Sequence, residues 1–340
     1  MDLPSVLMFG EMASDNSDNN EAMTGYLHSG YAESLSELGT PRLLPKSQGW
    51  ILERQIPGFA SWDATGCYPL FTCLDWSQLQ QDLDDIGDSL VSLGVVTDPF
   101  GTYDEPYLRR CFKDVVIPYK KHFIVDLSFP ADNIVSSHHR RCARKALRSI
   151  NVERCEDALQ FLGDWVELYG DFIKKRNITG PAALSRSALA KQLMVPGLVM
   201  FRAVYRQTIV GIHLWYVRGD VGYAHLAAYD QLGYKLGASY ALFWSAIEYL
   251  QINQLRWLHL GGVAGVKPDS GDGLTVFKNG WSTGTRTAYL CGRIFDRERY
   301  LRIVEEKGIS VTTYFPAYRN PTVQAIDGWE CTGRVPGVHK

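Results

Sequence analysis

A chain of 340 residues with 46% hydrophobic and 21% charged side chains can bury one large core or two ordinary ones; this excludes the disordered, collagen-like and coiled-coil classes. Thirty-five basic residues against 37 acidic ones leave a formal charge of -2. No global field therefore draws the chain to nucleic acid, and any RNA contact must come from a local basic surface.

The polar, Asn-rich beginning predicts a flexible segment over residues 1–22, with no basic, apolar leader. Trp50–Ile56 reads as a strand stopped by Pro57-Gly58, Tyr68–Cys73 as a second strand and Trp76–Ile86 as a helix. Ser89–Thr97 is an apolar strand closed by Asp98-Pro99, Tyr107–Lys113 a short helix and His122–Leu127 a further strand. Ser136–Arg148 is a basic helix placed as the hinge between two halves. Helical spacing then covers 158–177 and Ser185–Leu193. Three strands follow, Leu198–Tyr205, Thr208–Val217 and Gly222–Ala228, punctuated by the turns Arg206-Gln207 and Arg218-Gly219-Asp220. A long helix over 236–253, a short strand Trp257–Leu260 ending in Gly261-Gly262, a strand Arg286–Phe295 and a helix Arg297–Glu306 complete the chain. No apolar stretch approaches the ~18 residues of a membrane span, so the expectation is a cytoplasmic protein with no membrane partner.

The seven cysteines, at 67, 73, 111, 142, 155, 291 and 331, are scattered and form no CxxC. Buried thiols in a reducing compartment are expected, with no disulfide framework and no metal. Gly237-Ala-Ser239-Tyr-Ala241 lacks the second glycine of a nucleophile elbow and reads as helix. Gly262-Val-Ala-Gly265-Val-Lys267-Pro268 is too short for a P-loop. His138-His139 has no partner at ligand spacing, so solvated side chains are expected there.

The fold class is mixed α/β in two lobes. Two helices, a three-strand antiparallel meander, a helix, a strand and a final strand resemble the layout of the GNAT (N-acyltransferase) fold. A CoA-dependent member of that fold has Gln/Arg-x-x-Gly-x-Gly/Ala before its main helix, where backbone N–H groups bind pyrophosphate. Here the stretch is Asp230-Gln-Leu-Gly233-Tyr-Lys-Leu-Gly237-Ala238-Ser239, in which neither glycine keeps that frame.

The stretch that stands out is Leu258-His-Leu-Gly261-Gly262, followed by Gly273-Leu-x-x-Phe277-Lys278-x-Gly280-Trp281. Together with Tyr223-Ala-His225-Leu-Ala-Ala-Tyr229 and the basic His139-Arg140-Arg141-Cys-Ala-Arg144-Lys145-Ala146, it resembles the FemABX family of aminoacyl-tRNA-dependent aminoacyltransferases, in its compact FemX-like form. The resemblance covers about residues 50–320 and implies two tandem GNAT-like domains with largely antiparallel sheets, here 23–145 and 146–325, before a tail at 326–340. It implies transfer of an amino acid from a charged tRNA to an amine of a peptide or peptide-like acceptor, with no cofactor and no DNA partner. Lys278 would be catalytic, beside the ester. Phe277, Gly261, Gly262 and Trp281 would receive the tRNA acceptor end.

A lysine ammonium suits this chemistry, because attack on an ester passes through an oxyanion that a nearby cation stabilises. A core aromatic beside a solvated lysine is the plainer alternative for Phe277-Lys278. Arg140, Arg141, Arg144 and Lys145, with Arg148 and Lys174-Lys175-Arg176, could follow an RNA backbone, or form a solvated helix face. Arg54, Trp62 and Tyr103 near first-domain strand ends, with Tyr223 and His225, are the acceptor-binding candidates, though packing explains each equally. Two other functions fit the same scaffold, an acyl-CoA-dependent N-acyltransferase and a non-catalytic RNA- or protein-binding module.

Overall fold

The computed structural model describes residues 23–262, 273–310 and 312–320. The expected flexible segment 1–22, the tail 326–340 and the Gly265–Lys267 stretch lie outside these residues. Strands β1 (Thr40–Leu44), β2 (Gly49–Gln55), β3 (Trp62–Gly66), β4 (Ser92–Val96), β5 (Val115–Asp126) and β6 (Asn151–Cys155) come first. They are followed by β7 (Leu198–Tyr205), β8 (Thr208–Arg218), β9 (Val221–Tyr229), β10 (Trp257–Gly262) and β11 (Gly284–Ile294). The longer helices are α1 (Ser29–Ser34), α2 (Leu79–Asp85), α3 (Glu105–Cys111), α4 (Ser137–Ala146), α5 (Leu162–Arg176), α6 (Arg186–Leu193), α7 (Gln231–Leu236), α8 (Ala238–Ile252), α9 (Gly273–Asn279) and α10 (Arg297–Glu306). No helix among the described residues is long and apolar enough to cross a membrane.

All eleven strands join one sheet in the order β1-β2-β3-β4-β11-β5-β10-β9-β8-β7-β6. Pairing is antiparallel except at β3–β4 and β9–β10. Strand β11, late in the chain, is inserted between β4 and β5 of the first half, so the sheet runs unbroken past residues 145 and 146. The parallel β9–β10 pairing lasts only from Val221–Tyr223 against Trp257–His259; beyond it the two strands part.

Local chemistry accounts for most boundaries. Arg206 and Gln207 both take positive φ (47° and 67°), the two-residue turn that a right-twisted hairpin prefers. Ser136 caps α4 by accepting from the His139 N–H. Asn177 ends α5 in the left-handed conformation. The helix expected over 236–253 breaks at Gly237 (φ 77°), which separates α7 from α8. Tyr68–Cys73 is not a strand: it contributes a single bridge, Phe71 to Thr97, and Pro69 has no N–H to give a ladder. The strand lies just before it, as β3.

Side chains alternate across the sheet. Along β8, Ile212 and Leu214 enter the core beneath α5 and α6, while His213 and Trp215 pack against Phe243 of α8. Helices α4 and α8 thus cover one face and α5 and α6 the other. The run Lys174–Arg176 closes α5 on the face away from α4, so the two basic clusters do not share a groove; cations there suit the C-terminal helix dipole.

Candidate active site

The Gly-Leu-x-x-Phe-Lys frame folds as α9, and its last turn is docked onto α4 by His139. The His139 ring donates from Nε2 to the Phe277 carbonyl (3.0 Å), and its Nδ1 accepts from the Ser136 hydroxyl (3.0 Å). Gly280 is needed there, because a Cβ would lie 2.1 Å from the His139 ring. His139 is therefore buried (4% exposed), contrary to the expected solvated pair, and burial lowers its pKa. His138 stays exposed. Phe277 packs among His139, Tyr240, Phe243 and Trp281, ring centroids 5.1–6.0 Å apart, against the core beneath α8. Trp281 is fully buried within that cluster.

Lys278, on the turn of α9 after Phe277, is half-buried and donates from Nζ to the Gly262 carbonyl at 2.6 Å. Gly261 makes the approach possible: its φ of 76° forms a bulge in β10, and Nζ lies 3.3 Å from where its Cβ would stand. Gly262 has the His122 ring against its Cα. On this sheet face His122 (β5) and His259 (β10) meet at 2.7 Å between Nδ1 and Nε2, with rings stacked 4.9 Å apart. Burial, aided by Lys278 and, for His122, by Lys120, pushes His122 down to about 2 and His259 to about 3. Both rings are neutral at physiological pH.

Tyr223 packs beside His259 (5.3 Å) and is tied into a buried network. Its hydroxyl donates to Asp98 Oδ2 (2.9 Å) and accepts from Arg218 Nη2 (2.6 Å), while Arg218 also donates to Asp98 and to Thr72. Burial and Asp98 raise the Tyr223 pKa well above the phenol range, so it is a fixed donor. Arg286, directly opposite His122 in β11, stacks over Phe100 (4.2 Å) and Trp257 (4.9 Å).

The remaining acceptor-binding candidates do not converge here. His225 is held between the Tyr26 hydroxyl (3.1 Å) and Gln192 (3.0 Å), and burial lowers it to about 3. The Tyr103 hydroxyl donates to the Asp98 carbonyl (2.8 Å). Arg54 pairs with the buried Asp63 (3.2 Å). Trp62 is exposed, but β3 stands four strand spacings from β10, about 19 Å at ~4.8 Å each. His122, Phe100 and Arg286 carry no local sequence signal, and the Leu258–Gly262 stretch does not single out its His259; tertiary pairing of β5, β10 and β11 brings the three strand residues together beside Phe100.

Ser137, Arg140, Arg141, Arg144, Lys145 and Arg148 form an open basic surface along α4 and just past its end. Arg140 and Arg144 share Asp132 at 3.4 and 3.1 Å; Arg141, Lys145 and Arg148 pair with no acid among the described residues. In the stretch where a CoA-dependent GNAT enzyme would bind pyrophosphate, three N–H groups are already used within the turn. Gly233 N–H is taken by the Asp230 carboxylate, Tyr234 N–H by the Asp230 carbonyl and Gly237 N–H by the Tyr234 carbonyl.

Residues 135–278 match the family described as acetyltransferase (GNAT) domain. No curated protein matches the chain. Among solved structures, FemX superposes with a TM-score of 0.61 at 12% identity, over 86% of this chain and 99% of that one. L-PGS from Bacillus licheniformis gives 0.54 at 15% identity, over 82% and 92%. The C-terminal domain of an assigned lysylphosphatidylglycerol synthetase from Agrobacterium fabrum gives 0.57 at 12% identity, over 86% and 94%. The chain thus shares the α/β fold of FemX, and residues 135–278 within it match the acetyltransferase (GNAT) domain family.

Proposed function

We propose that the chain transfers an aminoacyl group from aminoacyl-tRNA to the amine of a peptide or peptide-like acceptor, such as a peptidoglycan precursor or a peptide natural product, in the cytoplasm. The observation that carries this reading is the docking of the basic helix α4 onto the helix that bears Lys278, through His139. A phosphate backbone lying along Arg141, Lys145 and Arg148 would bring its acceptor end toward the Gly261-Gly262 bulge. The departure of Asp230–Ser239 from the pyrophosphate-loop pattern, with the Gly233 N–H already taken by the Asp230 carboxylate, favours this donor over acyl-CoA.

In the reaction, the amine lone pair forms the new C–N bond and the ester carbonyl oxygen becomes an oxyanion beside Lys278. Collapse breaks the ester C–O bond; the ribose oxygen leaves with a proton, and the amine gives up its surplus one. The ester is already activated, so no covalent enzyme intermediate is needed. Incubating the purified protein and an amine acceptor with labelled aminoacyl-tRNA or labelled acetyl-CoA tests the donor. Discharge of the tRNA alone is expected; turnover of acetyl-CoA with tRNA untouched would overturn the reading. Lys278→Met, with an unchanged melting curve, should lower the rate by ~10²–10³.

A further inference from the structure

The reaction as derived leaves His122 and His259 without a task. Their 2.7 Å contact between His122 Nδ1 and His259 Nε2 has room for one proton. The other nitrogen of His259, Nδ1, is sealed from solvent with no hydrogen-bond partner, and Phe100 stands edge-on to that ring. His122 keeps a 7% exposed edge at which Nε2 makes no hydrogen bond among the described residues. That edge faces Gly262, whose added Cβ would lie 3.0 Å from Nε2, and the Gly262 carbonyl holds Lys278 Nζ.

Two proton arrangements satisfy the contact. If His122 donated from Nδ1, neutral His259 would carry its proton on the sealed Nδ1, a buried N–H with no acceptor. If His259 donates from Nε2, the sealed atom holds only a lone pair, and the His122 proton sits on Nε2 at the open edge. Orphaned buried N–H groups are rarer in native structures than unmet acceptors, so the second arrangement is favoured. Among the described residues, the groups facing the pair are Lys120 on the same strand, Lys278 on α9, Tyr223 on β9, Arg286 on β11 and the more distant Asp98, which is engaged by Arg218. Burial first, and then Lys278 with Lys120 beside His122, keep both rings uncharged. A ring so held is a poor base at neutral pH but a permanent neutral donor, which costs no reorganisation when charge develops.

We propose that His122, through Nε2–H, is a neutral hydrogen-bond donor that shares with Lys278 the carbonyl oxygen of the acyl donor as it becomes an oxyanion, and that His259 is a positioning residue that fixes the His122 tautomer. This role rests on the acyl-transfer reading of the site. His122 gains and loses no proton in it; the amine's proton departs with the leaving oxygen or to water.

Long-range ¹H–¹⁵N spectra of the histidine-labelled free protein, assigned with His122→Gln and His259→Leu, read the tautomer without any substrate. The expected result is His122 protonated on Nε2 alone from pH 5.5 to 8; an Nδ1–H tautomer, or an imidazolium forming above pH 5.5, would overturn the proposal. In the transfer assay, His122→Gln keeps an N–H donor and should stay within about tenfold of the parent, whereas His122→Leu should lose ~10²–10³. Equal losses in the two would point to a base and sink the donor role. His259→Leu should mix the His122 tautomers and lower kcat with KM unchanged. If the Nε2–H tautomer is found but no acyl donor is consumed, the transfer reading falls and the oxyanion role with it, while the tautomer assignment stands.

Discussion

The adjacent glycines at the end of β10 are required for different reasons. Gly261 has a left-handed backbone (φ 76°) that a side chain tolerates poorly, whereas Gly262 has ordinary dihedrals but no room, with the His122 ring 3.0 Å and Lys120 Cδ 3.3 Å from its would-be Cβ. Gly261→Ala should therefore cost about 1–2 kcal/mol of stability through backbone strain. Gly262→Ala should push the His122 ring aside, lowering the transfer rate more than tenfold with a smaller loss of stability. Melting temperature and initial rate, measured on both variants, separate the two effects, and a fully active Gly262→Ala would show that the ring position is irrelevant. The sequence points to this place, since Gly-Gly and the Phe-Lys-x-Gly-Trp frame can be read directly, but it conceals what the residues touch. Gly280 is present for the His139 ring, and His122 and His259 are lone histidines in apolar strands, 137 residues apart. No spacing rule joins them.

Helix α4 turns a run of charge into a surface with a countable capacity. Of the five cations on it and just past its end, Arg140 and Arg144 are already engaged by Asp132, which leaves Arg141, Lys145 and Arg148. Three phosphate contacts at ~0.7–0.9 each give a slope of log K against log salt of about -2 to -3 for tRNA binding. Arg141→Ala with Lys145→Ala should flatten it by about 1.5, while Asp132→Asn should steepen it by releasing two arginines. A filter-binding titration that shows no salt dependence would remove α4 from the RNA path. Elements whose boundaries are local are legible in the same way: the β7–β8–β9 meander has its turn residues, α4 its run of basic residues after Ser136 and α8 its apolar stripe. Strand β3 is not legible, because Trp62-Asp63-Ala-Thr-Gly66 reads as a turn. Asp63 is fully buried there only because Arg54 from β2 and Arg319 near the end of the chain both bind its carboxylate. Such compensation is long-range and cannot be found in a window of sequence.

At the scale of the molecule, packing withdraws several histidine rings from water, and that has a measurable consequence in acid. Burial lowers His122 to about 2 and His213, His225 and His259 to about 3, with His139 shifted in the same direction. The unfolded chain protonates its histidines near pH 6.5, so below that pH it binds protons that the folded chain refuses. The stability these residues contribute is therefore fully present above about pH 6.5 and is lost as pH falls toward 3. Each independent ring removes about 2 kcal/mol between pH 7 and pH 5, and the His122–His259 pair acts jointly. Asp85 and Asp126, whose carboxyls are held below their usual range by their partners, add to the loss only under still more acidic conditions. Several such rings approach the whole 5–15 kcal/mol of a typical domain, so the protein should unfold cooperatively near pH 5 to 4 at 25 °C. His213 isolates the effect, because it lies between Trp215 and Phe243 with Nδ1 unpartnered and has no part in the proposed chemistry. His213→Leu should lessen the stability lost between pH 7 and pH 5 by about 2 kcal/mol, whatever it does to stability at pH 7. Urea unfolding of both proteins at pH 7, 6 and 5 measures this, and parallel stability curves would mean that His213 takes up its proton in the folded state, so that burial does not hold it neutral.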